Sequence, residues 1–266
     1  MLVLLPPSEG KTRPGRRRGP VSLDALSWPE LTDARSRVLS ALVEASGRPD
    51  ALDVLGVGAS LAADVEANRT LHVAPSAPAG EVYSGVLYDA LALTGLSPAA
   101  RRRANRWLVV TSALWGVLRP TDRIPTYRLS MGTTLPGLGP LAGYWRPLLD
   151  EPLTAAAGRG LVVDLRSTTY QAAWTPTGPV AARTVAVRVL RETQGRRTVV
   201  SHMAKHTRGQ VCRVLLESER EARTPRDLAE VVGRRWRCEL VPPAQPGRTW
   251  TLDVVIDGSD EAVAGA

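Results

Sequence analysis

The sequence predicts an α/β fold in which helices flank a mixed β-sheet. Apolar runs of strand length, such as "LVLL" and "WLVVTSAL", alternate along the chain with longer segments of helical periodicity. The composition, 44% hydrophobic and 23% charged over 266 residues, is typical of a soluble globular protein with a sizeable core. Because no repeat or linker interrupts the alternation, we predict one domain over residues 1–256 and a flexible acidic tail over 257–266.

The N-terminal half is predicted to begin with a buried strand and to continue mainly as helices. The strand Leu2–Leu5 ends at two prolines, and a helix begins after Ser27, the expected cap, with Pro29 in its first turn. Residues 81–106 are mostly helical by pattern. Trp107–Leu114 is then predicted as a buried strand, followed by a long loop.

The C-terminal half is predicted to alternate between strands and helices more regularly. The predicted strands are 160–167, 180–190, 198–202, 237–241 and 249–256. The predicted helices are 141–157, about 204–223 and 225–233. This arrangement places the segment "SHMAKHTRGQ" at a junction between a strand and a helix.

A helix–hairpin–helix is predicted over about residues 49–67. "LGVGASLAADV" has a Gly-x-Gly turn between two short helical stretches, and such a turn presents backbone N–H groups to DNA phosphates. The expected DNA contacts are Gly56, Val57, Gly58 and Ala59. A packed helical corner favours the same Gly-x-Gly pattern, so both interpretations are open.

Charge and cysteine content narrow the classes of function. The formal net charge of +8 and the pI near 10.3 favour anionic partners such as nucleic acid, nucleotides or phosphates. Two isolated cysteines, with no signal peptide and no apolar window of membrane length, predict a cytoplasmic protein without membrane contact. We expect no cofactor and no metal, because His202 and His206 stand four residues apart but lack a third ligand.

The balance between lysine and arginine singles out two positions. The chain contains 32 arginines, and its only lysines are Lys11 and Lys205. The scarcity of asparagine and isoleucine and the absence of phenylalanine fit the coding bias of a GC-rich genome. A lysine retained under that bias indicates a need for a compact ammonium or a deprotonable amine, although chance explains two lysines equally well.

Polar residues follow several of the predicted strands. Lys205 and Arg208 share one helical face at the strand–helix junction, where an anion also meets the positive end of the helix. Ser167 and Tyr170 follow strand 160–167, either as donors to a ligand or as caps. Further candidates for ligand capture stand in the loop after Trp107–Leu114: Ser112, Arg119, Tyr127 and Arg128.

Five segments together resemble the YaaA peroxide-stress family. In chain order they are "MLVLLPPSEGKT", "VYSG", "SALWGVLRPTDRIPTYRLSMG", "LVVDLRSTTY" and "VVSHMAKHTRG", and they extend from Met1 to about Glu217. The resemblance implies a bacterial protein that limits free iron and DNA damage under peroxide stress, and that binds DNA through the helix–hairpin–helix. The family's characteristic residues correspond here to Lys11, Tyr83, Ser112, Gly116, Arg119, Pro120, Tyr127, Arg128, Ser167, Tyr170, Lys205, Arg208 and Gly209.

Two functions are therefore open. The first is a protective DNA-binding protein that uses the hairpin and a basic cleft. The second is an enzyme for a nucleotide-like or other small anionic molecule, with Lys205, Ser167 and Tyr170 as catalytic candidates. In both, the anion is expected to meet one cleft where the two lysines converge, lined by Lys11, Tyr83, Ser112, Arg119, Tyr127, Arg128 and Arg208. A hairpin and a cleft that lie on one continuous basic face favour DNA, and a deep enclosed pocket favours an enzyme.

Overall fold

The computed structural model describes residues 1–15, 18–193, 196–199 and 201–257. The side chains of Val199, Ser201, His202 and Asp257 lie outside this description, and so does nearly all of the predicted acidic tail, residues 258–266. Within the described ranges the chain is α/β with a mixed, mostly parallel sheet flanked by helices, as predicted.

The described ranges contain twelve strands and eleven α-helices. The strands are β1 Leu2–Leu5, β2 Ala77–Pro78, β3 Leu108–Ser112, β4 Gly116–Leu118, β5 Arg123–Ile124, β6 Thr134–Leu135, β7 Gly139–Pro140, β8 Val162–Asp164, β9 Thr184–Thr193, β10 Arg196–Val199, β11 Arg237–Val241 and β12 Trp250–Asp257. The helices are α1 Thr32–Ser46, α2 Ala51–Leu55, α3 Ala62–Asn68, α4 Ala79–Val82, α5 Val86–Leu91, α6 Pro98–Trp107, α7 Leu141–Ala157, α8 Thr168–Gln171, α9 Gly178–Ala181, α10 Ser201–Glu217 and α11 Pro225–Gly233.

The main sheet has eight strands, seven of them in the order β11-β12-β9-β8-β1-β3-β4, with β10 paired to β9. Five of these strands are parallel to one another: β1, β3, β8, β9 and β12. The chain passes from β1 to β3 on one side and then crosses to β8 on the other side of β1. Such a reversal leaves a crevice for ligands at the carboxyl ends of the parallel strands. This edge of the sheet is here called the carboxyl edge.

The central strands are buried because helices cover both faces of the sheet. Every residue of β1, β3 and β8 is buried, and the apolar runs that predicted them are those expected for parallel strands with two covered faces. The loops that leave these strands therefore start from fixed points. Two of them, after β1 and after β8, border the crevice.

The predicted start of the first long helix is wrong. Ser27 does not cap it, because the Ser27 hydroxyl donates to Oδ1 of Asp122 at 2.8 Å. Trp28 instead adopts a left-handed conformation with φ of 61° before a single 3-10 turn, Pro29–Leu31, and α1 begins only at Thr32. The local pattern predicted that the Ser27 hydroxyl caps the helix. The hydroxyl instead makes a tertiary hydrogen bond with a residue 95 positions away in the sequence.

Several boundaries in the C-terminal half also differ from prediction. The helix predicted to about residue 223 ends at Glu217, and the strand predicted over 160–167 is limited to Val162–Asp164. The segment predicted as strand 180–190 contains the end of α9, and β9 begins at Thr184. The segment predicted as strand 198–202 is divided, because β10 ends at Val199 and α10 begins at Ser201. Lys205 consequently lies in the second turn of α10, near its N-terminal end. None of the described helices is both long and apolar enough to cross a bilayer.

Candidate functional site

Lys11 is held at the carboxyl edge by the loop that follows β1. Its backbone forms an isolated antiparallel bridge with Tyr83, and the next residue, Thr12, donates its N–H to the carbonyl of Val82 at 2.8 Å. The Nζ of Lys11 donates to the Ser8 carbonyl at 2.8 Å and lies 4.4 Å from the ring centroid of Tyr127. The half-buried side chain of Lys11 is thus held at both ends, at its backbone and at its amine.

Three buried hydroxyl groups lie beneath this amine. The Tyr127 hydroxyl is 2.9 Å from that of Tyr83 and 2.7 Å from Oγ of Ser112, the last residue of β3. Ser112 Oγ also accepts the backbone N–H of Trp115 at 3.1 Å. Burial raises the pKa of both tyrosines well above the ordinary value, so both remain uncharged at neutral pH.

The environment of Lys11 disfavours its charged form. Burial lowers the pKa of Lys11 to about 7, and the nearby guanidinium of Arg128 acts in the same direction. The carboxylates of Asp64 and Glu9 oppose this shift with smaller effects. At neutral pH the amine is therefore distributed between its charged and neutral forms.

Arg128 is positioned by Asn68, the last residue of α3. The fully buried Asn68 accepts the backbone N–H of Arg128 at 2.9 Å and donates its amide to the Arg128 carbonyl at 2.9 Å. The guanidinium of Arg128 then donates to the carbonyl of Glu9 at 3.2 Å. The second helix of the hairpin segment consequently borders the cleft directly.

The two lysines meet at Glu9. The Nζ of Lys11 lies 3.5 Å from the Glu9 carbonyl, and the Nζ of Lys205 lies 3.5 Å from its carboxylate Oε1. The side chains of Lys205 and Glu9 are 54% and 77% exposed, so this ion pair is weak and readily displaced by another anion. The structure therefore brings Lys11 and Lys205 to one cleft, and it places Lys205 at the rim.

Tyr170, on α8, faces the same cleft. Burial raises its pKa to about 12, while a hydrogen bond with the backbone of Met131 opposes the shift. Glu9 and Arg128 also act on it electrostatically, which places its hydroxyl within range of both. Ser167, the residue before α8, makes no capping bond with its side chain.

Arg208 lies one turn beyond Lys205 and faces the sheet. Its Nη2 donates to the Val187 carbonyl at 3.3 Å, whereas its Nε is buried and has no hydrogen-bond partner among the described residues. Burial lowers the pKa of Arg208, and Asp164 opposes that shift. Asp164 itself is held in a buried two-point ion pair by Arg166, with Nη2 and Oδ2 2.8 Å apart.

Arg119 does not join these residues, contrary to the sequence prediction. Because β4 runs antiparallel to β3, the residue after β4 is carried back toward the edge where β3 begins. There the guanidinium donates to the carbonyls of Arg106 and Leu108 at 2.8 and 3.1 Å and lies 4.9 Å from the ring centroid of Trp28. Arg119 thus ties the end of α6 to the loop before α1.

The segment predicted as a helix–hairpin–helix contains two short helices, α2 and α3, with a turn at Gly56 and a 3-10 turn, Ala59–Leu61, between them. Gly56 has φ of +63°, which explains the glycine there, and Gly58 and Ala59 are exposed while Val57 is half-buried. The segment carries four acidic residues, Asp50, Asp53, Asp64 and Glu66, and no basic residue between Arg48 and Arg69. Arg48 and Arg69 pair with Asp50 and Glu66, each at 2.7 Å, so the surroundings of the turn are less favourable to phosphate than its sequence pattern indicates.

Two residues of the cleft were not among the sequence candidates. Glu9 joins the two lysines, and Asn68 positions Arg128. Asn68 is one of only two asparagines in the chain, and this rarity is the one sequence signal that could have singled it out. The described part of the chain contains no group of three or more His, Cys, Asp or Glu side chains arranged to hold a metal ion, and His206 is half-buried.

Comparison with known proteins decides the family. A family model described as Peroxide stress protein YaaA matches residues 1–239. The chain belongs to the YaaA peroxide-stress family. This confirms the resemblance that the five sequence segments indicated.

YaaA-family relatives extend over nearly the whole chain. A UPF0246 protein of Streptomyces coelicolor is 51% identical over 259 residues, which are 96% of this chain and 98% of the relative. A UPF0246 protein of Corynebacterium efficiens is 43% identical over 261 residues, 96% of this chain and 100% of the relative. A more distant UPF0246 protein, from Ruegeria, is 30% identical over 228 residues, 82% of this chain and 87% of its own.

Proposed function

We propose that this protein protects DNA under peroxide stress by binding the DNA backbone, independently of sequence, in the cleft lined by Lys11, Arg128 and Lys205. The observation that carries the proposal is that α3, the helix after the hairpin turn, borders the cleft. Asn68 of α3 holds the backbone of Arg128, and Asp64 of the same helix acts electrostatically on Lys11. An extended phosphate chain in the cleft therefore passes beside α3, and the hairpin turn precedes the other end of this helix.

The cleft supplies the main attraction, and the hairpin adds backbone contacts. The three cations of the cleft converge on Glu9, whose exposed carboxylate a phosphate group can displace. At the turn, the N–H groups of Gly56 and Val57 already donate to backbone carbonyls at the end of α2, so the donors it offers to phosphate are those of Gly58 and Ala59. The acidic flanks of the turn repel phosphate. The net charge of +8 favours approach of DNA to the whole molecule, and DNA bound in this way is less exposed to iron-dependent oxidation.

The test compares three single substitutions by fluorescence anisotropy with a labelled duplex at constant salt. Arg128→Ala should weaken binding about five- to tenfold, the effect of losing one charge-assisted phosphate contact of about 1 kcal/mol. Gly58→Glu should weaken binding less. Arg106→Ala, which removes an exposed cation near the contacts of Arg119, should leave the affinity unchanged. Equal losses for Arg106→Ala and Arg128→Ala would show diffuse binding and contradict the cleft.

A second candidate function is an enzyme acting on a small anionic molecule. The observation that favours it is the position of Lys11 and Tyr170 on the two loops that border the topological switch point, the usual ligand site of such sheets. Lys205, Ser167 and Tyr170 remain its catalytic candidates. Binding of nucleotides or phosphorylated metabolites, measured by calorimetry and lost on Arg128→Ala, supports this function, and its absence across such ligands contradicts it.

A further inference from the structure

We propose that Lys11 is an amine nucleophile that forms an imine with an aldehyde or ketone carrying a phosphate or carboxylate, the acid group being held by Arg128 and Lys205. This inference deepens the second candidate function, on whose anion site it rests, and is independent of DNA binding. It gives Lys11 a role for which the sequence alone had suggested only Lys205.

The first support is the choice of side chain. A guanidinium binds anions at least as well as an ammonium, and 32 of the 34 basic residues in this chain are arginines. Only an amine can lose a proton near neutral pH and then attack a carbonyl carbon. A lysine retained in the interior of the cleft therefore serves chemistry that arginine cannot perform.

The second support is the fixed position of the amine. The backbone bridge to Tyr83, the hydrogen bond to the Ser8 carbonyl at 2.8 Å and the contact with the Tyr127 ring hold Nζ in one place. The hydroxyl bonds of Tyr127 to Tyr83 and Ser112 hold that ring in turn. A nucleophile held in this way loses little conformational entropy when it reacts.

The third support is the set of charges that face Lys11. Arg128 disfavours the ammonium form, Asp64 and Glu9 favour it less strongly, and the rings of Tyr83 and Tyr127 stay neutral. Burial dominates, so a large share of the amine is neutral at about pH 7. A lysine made neutral by burial and by an adjacent cation is a common form of the activated amine.

The reaction is balanced without an oxidant or a reductant. The lone pair of neutral Nζ attacks the carbonyl carbon, a C–N bond forms, and the carbonyl electron pair moves to oxygen, which takes up a proton. The resulting carbinolamine loses water, and the nitrogen gives up its second hydrogen to leave the imine. The cations that hold the acid group, Arg128 and Lys205, lie around the amine through their shared contact with Glu9.

The experiment treats the full chain with pyridoxal 5′-phosphate, an aldehyde with a phosphate group, reduces the adducts with borohydride and locates them by mass spectrometry. Lys205, the other lysine, serves as an internal control within the same molecule. We expect Lys11 to be labelled at least about tenfold faster than Lys205 at neutral pH. The rate at Lys11 should rise about tenfold per pH unit below its pKa of about 7 and level off above it.

Matched probes and variants separate the parts of the proposal. Pyridoxal, which lacks the phosphate, should label Lys11 more slowly, and Arg128→Ala should narrow this difference, because Lys205 alone then holds the phosphate. Equal rates for the two probes overturn the anion site, while the amine chemistry stands. Labelling confined to Lys205 or the N-terminus, or a rate at Lys11 that keeps rising far above pH 7, overturns the nucleophile. Lys11→Arg should keep the wild-type melting temperature and lose the fast phase of imine formation, leaving only the slow reaction of Lys205. Imine formation at the wild-type rate in this variant overturns the assignment to Lys11.

Discussion

At the scale of single residues, the two rare lysines were singled out by the same argument, their retention in an arginine-rich chain, yet they lie in two different environments. Lys11 is half-buried against Tyr127, and its pKa is lowered to about 7, whereas Lys205 is 54% exposed and pairs with a carboxylate. Composition treated them alike, because rarity says nothing about burial. Their difference arises from the loop after β1, which turns inward, and from α10, which presents Lys205 at the rim.

Asn68→Ala should lower the free energy of unfolding by about 2–3 kcal/mol. The substitution leaves the backbone N–H and carbonyl of Arg128 without their partner. Because both groups are only partly buried, each costs an amount near the lower end of the usual range of about 1–3 kcal/mol. Urea denaturation measures the change. Asn105→Ala is the matched control, since Asn105 is exposed on α6 and its loss should cost less than about 0.5 kcal/mol. Similar costs for both variants would mean that Asn68 does not hold the loop of Arg128.

At the scale of elements, the contact between α10 and α5 explains the glycine of the segment "KHTRG". A Cβ built at Gly209 would lie 2.1 Å from the Leu87 carbonyl oxygen and 2.9 Å from Cβ of Ala90. Only glycine permits this approach of two helices. The position of Gly209 within a family segment thus reflects packing, and the packing sets the height of Lys205 and Arg208 above the sheet.

Gly209→Ala should destabilise the protein by about 3 kcal/mol, since the backbone of α5 must move away from the new methyl group. Thermal denaturation monitored by circular dichroism detects the change as a lower melting temperature. Gly143→Ala provides the comparison, because Gly143 lies in α7 with no atom within 4 Å of a built Cβ. That variant should be neutral or more stable by up to about 1 kcal/mol, the helix propensity of alanine. A neutral Gly209→Ala would refute the close contact.

At the scale of the whole molecule, sheet topology and net charge act together. The order of the parallel strands puts the loops after β1 and β8 side by side. The net charge of +8 gives the molecule as a whole a positive field. The field attracts any polyanion, and within the cleft the charge of Lys11 changes near neutral pH. We therefore expect the proposed binding of a polyanion in the cleft to depend on pH as well as on salt.

DNA affinity should accordingly depend on salt and pH together. Below its pKa of about 7 Lys11 is charged and contributes to phosphate binding, and above it this contribution is lost. The slope of log affinity against log salt should be steeper by up to about one unit at about pH 6 than at about pH 8. Lys11→Met should remove the difference, and Arg106→Ala should preserve it. A slope that is the same at both pH values in the wild type would exclude Lys11 from the DNA site.

The sequence determined the fold class, most of the strands and long helices, the family and the short list of polar candidates. These features depend on local periodicity and on side-chain chemistry, and both can be determined directly from the amino-acid sequence. The helix Leu141–Ala157 and the strand Leu2–Leu5 were predicted to the residue for this reason. The cap at Ser27 failed because a distant carboxylate, Asp122, competes for the hydroxyl.

Tertiary structure alone decided which candidates share a site. Arg119 and Arg128 are nine residues apart in the sequence. Because β4 runs antiparallel to β3, Arg119 lies at the opposite edge of the sheet. Arg128 lies at the cleft, where Asn68 binds its backbone. The pKa of Lys11 was equally beyond sequence reasoning, since it depends on burial and on the distance to Arg128. Electrostatic and packing energies depend on separation in space, and only the folded chain sets that separation.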